Sequence, residues 1–262
     1  MKITSLSASA RIQLRVIHAL IMREVITRYG RHNIGFLWLF LEPILFTCGI
    51  ATLWTLTKAT HGSKLPIVAF AVTGYSSILL WRNSSNRCVG AVQPNLDLLY
   101  HRNVTIFDVF IARIALEVMG ATVSCVLLTL FFCGIGWMSP PADILTALIG
   151  WSALCSFAVA LALLIGGLSE RGEIIDRTWH IITYLLFPLS GAGFLVEWLP
   201  LNFQVYVSYL PMVHGVEMLR HGYFGDTIHP KYNMAYAMTV TSLLLFAGIL
   251  LIRQMKGRAQ LQ

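Results

Sequence analysis

Charge is scarce in this sequence. Only 12% of its 262 residues are Asp, Glu, Lys or Arg, whereas soluble domains carry about 25%. With 56% hydrophobic residues, that excludes a large soluble core and leaves an integral membrane protein. Acid is the scarcer half: 12 Asp and Glu face 19 Lys and Arg, for a net charge of +7. The surplus does not suggest nucleic acid, because the basic residues sit between apolar runs rather than on one soluble face. Paired cysteines are missing. Cys48, Cys88, Cys125, Cys133 and Cys155 form no C-x-x-C and no even framework, and most lie in apolar runs as small buried residues. No short apolar stretch with a cleavage site precedes Ile34, so no cleavable signal peptide is expected.

Signatures of bond chemistry are also missing. There is no G-x-x-x-x-G-K-[ST], no G-x-S-x-G, no H-E-x-x-H and no aspartate pair of the sugar-nucleotide metal kind. This argues against a nucleotide-binding chain and against a membrane glycosyl- or acyltransferase. His214, Glu217 and His221 would share a helix face and could hold a metal. Pro211 and Gly215 interrupt that segment and no fourth ligand is evident, so an interfacial polar face near the outer surface is the stronger reading and no metal is expected.

Long apolar runs are what the chain does have. Its organising stretch is 23–43, where a basic segment feeds into an apolar run reaching Thr57, as at a membrane entry point with the basic side in the cytoplasm. Before it, 11–22 reads as an amphipathic helix with Arg11, Arg15 and His18 on one side. It lies either in the headgroup plane or, solvated, against a partner. Apolar spans are expected near 34–57, 65–81, 110–136, 144–168, 178–199 and 234–252, each long enough to cross about 30 Å of hydrocarbon. A polar stretch, 82–105, and a charged loop, 169–177, separate them. With both termini cytoplasmic, only Lys58, Lys64, Arg220 and Lys231 of the 19 basic residues fall outside. The expected organisation is an all-α membrane protein: a cytoplasmic segment 1–33, a six-span domain 34–252 and a cytoplasmic tail 253–262.

Span five is unlike the rest, with Pro188, Gly191 and Gly193 in its course. Two readings stand: a broken span followed by re-entrant or interfacial helices over 187–222, or an ordinary proline-kinked helix. Glu42 and Glu117 are acids within spans, and each needs a pore, a cap or a partner. Aromatics such as Trp38, Tyr184 and Phe194 serve as packing or belt residues, or as faces for sugar rings. The inner loops around Asn95 to Tyr100 and Ser169 to Arg177 offer surfaces on which an energy source could dock, or are plain connections.

Arg28-Tyr29-Gly30, then Ile34-Gly35-Phe36-Leu37-Trp38 and Glu42-Pro43, resemble the entry to span one of type-2 ABC exporter permeases. The 187–194 set FPLSGAGF, Trp198-Leu199-Pro200 and the 211–225 set PMVHGVEMLRHGYFG are similar to the capsule polysaccharide export permeases of Gram-negative bacteria, the KpsM-like group. The resemblance covers about 11–258. It implies a homodimeric, non-catalytic permease in the inner membrane, served by a separate cytoplasmic ABC ATPase that binds ATP and Mg. It also implies a periplasmic co-polymerase-type protein, an outer-membrane channel, and a lipid-linked, usually anionic polysaccharide as cargo. Carried onto this chain, Glu24, Asn95, Asp97, Leu98 and Tyr100, with Arg171 and Glu173 on the second loop, would couple to the ATPase. Arg28 and Arg31 would stand at the entry, with Trp38, Glu42, Tyr184, Ser190 and Phe194 along the channel. Pro188, Gly191, Gly193, His214, Glu217 and Arg220 would form an outer gate. An O-antigen or teichoic-acid polymer is the alternative cargo.

Overall fold

Every regular element among the described residues is helical. The structure, a computed structural model, describes the backbone over 6–29, 34–57, 65–99 and 104–259, and side chains over 10–27, 41, 44–56, 65–99 and 104–255. In order come α1 (Leu6–Tyr29), α2 (Ile34–Thr57), α3 (Ile67–Cys88), the single turn α4 (Leu96–Leu99), α5 (Ile106–Gly134) and α6 (Ile144–Ser169). They are followed by α7 (Glu173–Leu186), α8 (Leu201–Val207), α9 (Pro211–Phe224) and α10 (Met234–Ala259). Their starts are written locally. The Thr105 hydroxyl accepts the Asp108 N–H while the Asp108 carboxylate accepts the Thr105 N–H at 2.8 Å, a capping box for α5. Asp143 accepts the Leu145 N–H at 2.9 Å and starts α6. Pro211 occupies the first turn of α9, where its missing N–H costs nothing.

Among the described residues, Ile106–Gly134, Ile144–Ser169 and Met234–Met255 are long and apolar enough to cross a membrane. Within α2, the described stretch Ile44–Leu56 is apolar. The expected ranges 34–57 and 144–168 coincide with α2 and α6, 110–136 with α5 begun four residues earlier, and 234–252 with the first part of α10, whose helix continues through the expected tail to Ala259.

Two boundaries differ. The stretch from Arg82 is not yet a loop, because α3 continues to Cys88. Its serines keep the helix buried: Ser84 donates to the Leu80 carbonyl at 2.7 Å, and Ser85 accepts the Trp179 indole N–H at 3.2 Å. Arg82 and Arg87 are therefore helix residues, as is Arg113 on α5, and Arg220 is fully buried on α9 rather than in an outer loop. The second difference is span five. α7 begins at Glu173, so the 169–177 stretch is only a tight connection before it, and it ends at Leu186, just before Pro188. A turn through Gly191 at φ 81°, a 3-10 turn at Val196–Trp198, α8 and α9 follow. The break, not the kinked helix, is observed.

α6 is the hub, packing on α3, α9 and α10. It meets α9 backbone to backbone. A side-chain carbon on Gly150 would lie 2.5 Å from the Leu219 nitrogen, and one on Gly222 would collide with the Ala147 backbone. Small residues allow this approach, which suits association in lipid, where packing rather than the hydrophobic effect joins helices. α1 lies along α5 and leaves Leu14 and Ile26 exposed.

Candidate functional site

One end of the bundle gathers α1, the end of α3, α4 and the start of α5 into a charged network. Arg23 donates to the Asn95 side chain at 2.5 Å, and Asn95 donates to the Ala91 carbonyl at 2.8 Å. Glu24 pairs with Arg113 at 3.3 Å, and Arg113 also donates to the Arg87 carbonyl at 2.8 Å. Arg87 pairs with the buried Glu117 at 3.4 Å, so that intramembrane acid is a paired one that ties α5 to α3. Gln13 bonds Asp108. Between these groups lies a cavity of about 280 Å³ lined by Arg23, Glu24, Arg87, Asn95 and Arg113. Charges removed from water need such partners, and the convergence of these helical segments supplies them.

The 90–92 turn is held from α6. Ser169 accepts the Gly90 N–H at 3.2 Å and Glu170 accepts the Val92 N–H at 2.8 Å. Burial pushes the Glu170 carboxyl up, against the opposing pull of that N–H.

The expected coupling residues divide by exposure. Asp97 is exposed and Leu98 half-exposed on α4. Glu24 and Asn95 turn their side chains into the network, Asn95 as a buried residue. Arg171 bonds Gln254 and the Leu251 carbonyl, which fastens α10. Glu173 forms an exposed pair with Arg177 at 2.8 Å. Arg31 and Tyr100, and the side chains of Arg28, Trp38 and Glu42, lie outside the described residues.

Of the expected channel residues, Tyr184 is exposed on α7, with the Arg82 guanidinium 4.9 Å from its ring. Ser190 follows α7 in the turn before Gly191. It is fully buried and donates to the Phe187 carbonyl at 2.7 Å, building the turn. Phe194 is half-buried against the core.

Of the expected outer-gate residues, Gly191, His214, Glu217 and Arg220 are buried and form a knot. Arg220 donates to the carbonyls of Gly191 and Phe194, each at 2.6 Å, and to Ala192. Its guanidinium carbon lies over the Phe70 ring, 3.6 Å from the ring centre. The broken segment has non-helical carbonyls with no helical partner, and one planar five-donor group satisfies several of them. Gly74 on α3 is needed beneath, because a side-chain carbon there would strike the Ala192 carbonyl. Glu217 accepts the N–H of Val196 at 3.0 Å and of Lys231 at 3.1 Å. His214 contacts the Ser208 carbonyl at 2.9 Å, and His221 contacts the Tyr232 hydroxyl at 2.9 Å. The three metal candidates thus have separate partners, and no group of three such side chains among the described residues converges on a metal position. Pro188 and Gly193 are exposed. Arg23, Arg87 and Arg113 are functional residues that the sequence does not single out, because their partners lie far along the chain.

Residues 15–224 match the ABC-2 type transporter family. Over 249 residues, 95% of this chain and 94% of the relative, the sequence is 45% identical to the capsule polysaccharide export inner-membrane protein CtrC of Neisseria meningitidis. It is 42% identical over 250 residues, 95% and 94% of the two chains, to the capsule polysaccharide export inner-membrane protein BexB of Haemophilus influenzae. It is 26% identical over 245 residues, 92% and 94%, to the polysialic acid transport protein KpsM of Escherichia coli. The chain is therefore a helical membrane protein of the ABC-2 type transporter family.

Proposed function

We propose that this chain is the permease subunit of an ATP-driven exporter that moves lipid-linked, acidic capsular polysaccharide across the inner membrane to the periplasm. The observation that carries the reading is identity of 42–45% over 95% of this chain and 94% of each of two capsule polysaccharide export inner-membrane proteins. The permease performs no bond chemistry; ATP and Mg belong to a separate cytoplasmic ATPase. The active unit is a homodimer of six-span chains with both termini cytoplasmic. A periplasmic co-polymerase-type protein and an outer-membrane channel extend the route.

The charged network supports a division of labour at the cytoplasmic end. Asp97 and Leu98 on α4, with Tyr100 and Glu173, meet the ATPase. Glu24 and Asn95 hold that surface to α1 and α5, and Arg171 holds it to α10. ATP-driven closure of the ATPase moves this end as one body and tilts α2 and α7. Arg28 and Arg31 receive the anionic head of the cargo, because Arg forks suit phosphate and carboxylate. Trp38, Glu42 and Tyr184 line the path, and weak contact at many points lets the polymer advance without stalling. The broken segment over 187–222 closes the outer side, with Pro188, Gly191 and Gly193 giving it its shape, and His214, Glu217 and Arg220 fixing its hinge.

The test is to delete the chain and locate the capsule polymer by fractionation. Full-length polymer held in the cytoplasm is expected. Absence of polymer would assign a role in synthesis, and normal surface polymer would overturn the reading.

A further inference from the structure

At the end of the bundle away from the charged network, α8 and the first turns of α9 and α10 enclose an open groove of about 670 Å³. Its lining includes Asn202, Gln204, Tyr209, His214, Lys231 and Tyr236. We propose that this groove is a saccharide subsite that takes acidic sugar units of the exported chain as they leave the permease. The inference rests on the export reading above and adds a point of contact to it.

The volume falls in the range of small-molecule sites, about 300–1,000 Å³, with room for more than one pyranose ring. The floor is fixed in place. Glu217, buried beneath it, accepts the backbone N–H groups of Val196 and Lys231. His214 Nδ1 sits 3.2 Å from the Asn233 N–H, which can only donate, so the ring proton is on Nε2 and goes to the Ser208 carbonyl at 2.9 Å. The ring is neutral and both its nitrogens are engaged. The Tyr236 hydroxyl donates to the Tyr209 carbonyl at 3.0 Å and its ring packs edge-on against His214, with centroids 5.5 Å apart.

The groups left for a ligand suit one chemistry. The Tyr209 ring is 64% exposed, and its face can carry the C–H side of a sugar ring. Asn202 presents an exposed amide. Gln204 donates to the Leu199 carbonyl at 2.7 Å, which turns its oxygen to accept one N–H of the Lys231 ammonium at 2.7 Å. Among the described residues the other two ammonium N–H groups have no partner, although Lys has three. With His214 neutral, Lys231 is the one charged side chain of the lining, so the groove is cationic. An aromatic face beside an oriented amide and a held ammonium matches a carboxylated pyranose. A lipid chain there would offer nothing to the Asn202 amide or to the two remaining Lys231 N–H groups.

The test uses the full chain in lipid nanodiscs, titrated with short sialic acid oligomers and with neutral glucose oligomers of equal length. The sialic acid oligomers should bind. K231Q should weaken them by about tenfold through loss of a charge-assisted bond, K231R should retain them, and Y209A should weaken them. The glucose oligomers should bind less tightly. No binding, equal binding of the two oligomers, or K231Q and Y209A behaving as the unaltered chain would each overturn the subsite. Cells separate the two readings. If deleting the chain leaves polymer on the surface, the export reading falls and takes the subsite with it. If deletion traps polymer while a K231Q/Y209A variant exports normally, only the subsite falls. A double variant that loses export with oligomer binding unchanged would overturn the subsite in favour of a docked protein.

Discussion

Arg220 is the side chain whose loss should be felt most. Replacing it with Met keeps the bulk over Phe70 but strands the carbonyls of Gly191, Ala192 and Phe194, which it now satisfies. Each stranded buried acceptor costs about 1–3 kcal/mol. Arg220→Met should therefore lower the thermal midpoint of the detergent-solubilised protein far more than Glu173→Ala, whose exposed pair with Arg177 is worth about 0.5 kcal/mol or less. Equal midpoints for the two variants would show that the carbonyl knot does not hold the fold. Glu170 gives a pH signature. Its folded carboxyl is raised above 4.5 by burial, so the native state holds its proton more firmly than the unfolded chain. Its contribution is complete below the unfolded value and declines as pH rises through the raised folded value. The stability difference between the unaltered chain and Glu170→Gln should accordingly shift against the unaltered chain as pH rises above the ordinary glutamate value. A pH-independent difference would contradict this.

Helices meet through glycine where the fold is tightest. Gly222 lies against the Ala147 backbone, so a Val there has no flexible side chain to displace and must push α9 off α6. Overpacking of this kind costs about 1–3 kcal/mol, and Gly222→Val should unfold at lower temperature, whereas Gly193→Ala, with open space around it, should not. Between α1 and α5, Glu24 and Arg113 are 14–16% exposed and 3.3 Å apart. A double-mutant cycle to Gln at both positions should give a coupling of about 0.5–3 kcal/mol. Additive effects would mean that α1 is not fastened to α5 through this pair.

The assembled exporter should respond to the two kinds of residue at its charged end in different ways. Asp97→Lys on the exposed turn of α4 should reduce co-purification of the ATPase while leaving the permease fold unchanged. Asn95→Ala removes the acceptor for Arg23 from inside the network, and should lower both stability and export. Loss of co-purification with Asn95→Ala but not with Asp97→Lys would reverse these assignments.

Much of the architecture was legible in the chain. Ranges of apolar residues marked α2, α5, α6 and α10, because the bilayer sets a minimum length and penalises every charge within it. Thr105 and Asp108 wrote the start of α5, and Pro188 marked the end of α7, through chemistry confined to a few neighbouring residues. What depended on tertiary structure was the meaning of the polar residues. Ser84 and Ser85 looked like loop and are buried helix, and Ser190 sits on the inside of a turn. Glu24 is a partner of Arg113, and Arg220, counted among the outer charges, is the most enclosed cation described. Composition fixes how much apolar surface must be covered, and a helix start is settled by residues three or four apart. Whether a polar group faces water, lipid or another polar group depends on segments far away in the chain, such as Arg220 and the Phe70 carbonyl 150 residues before it, and only folding brings those together.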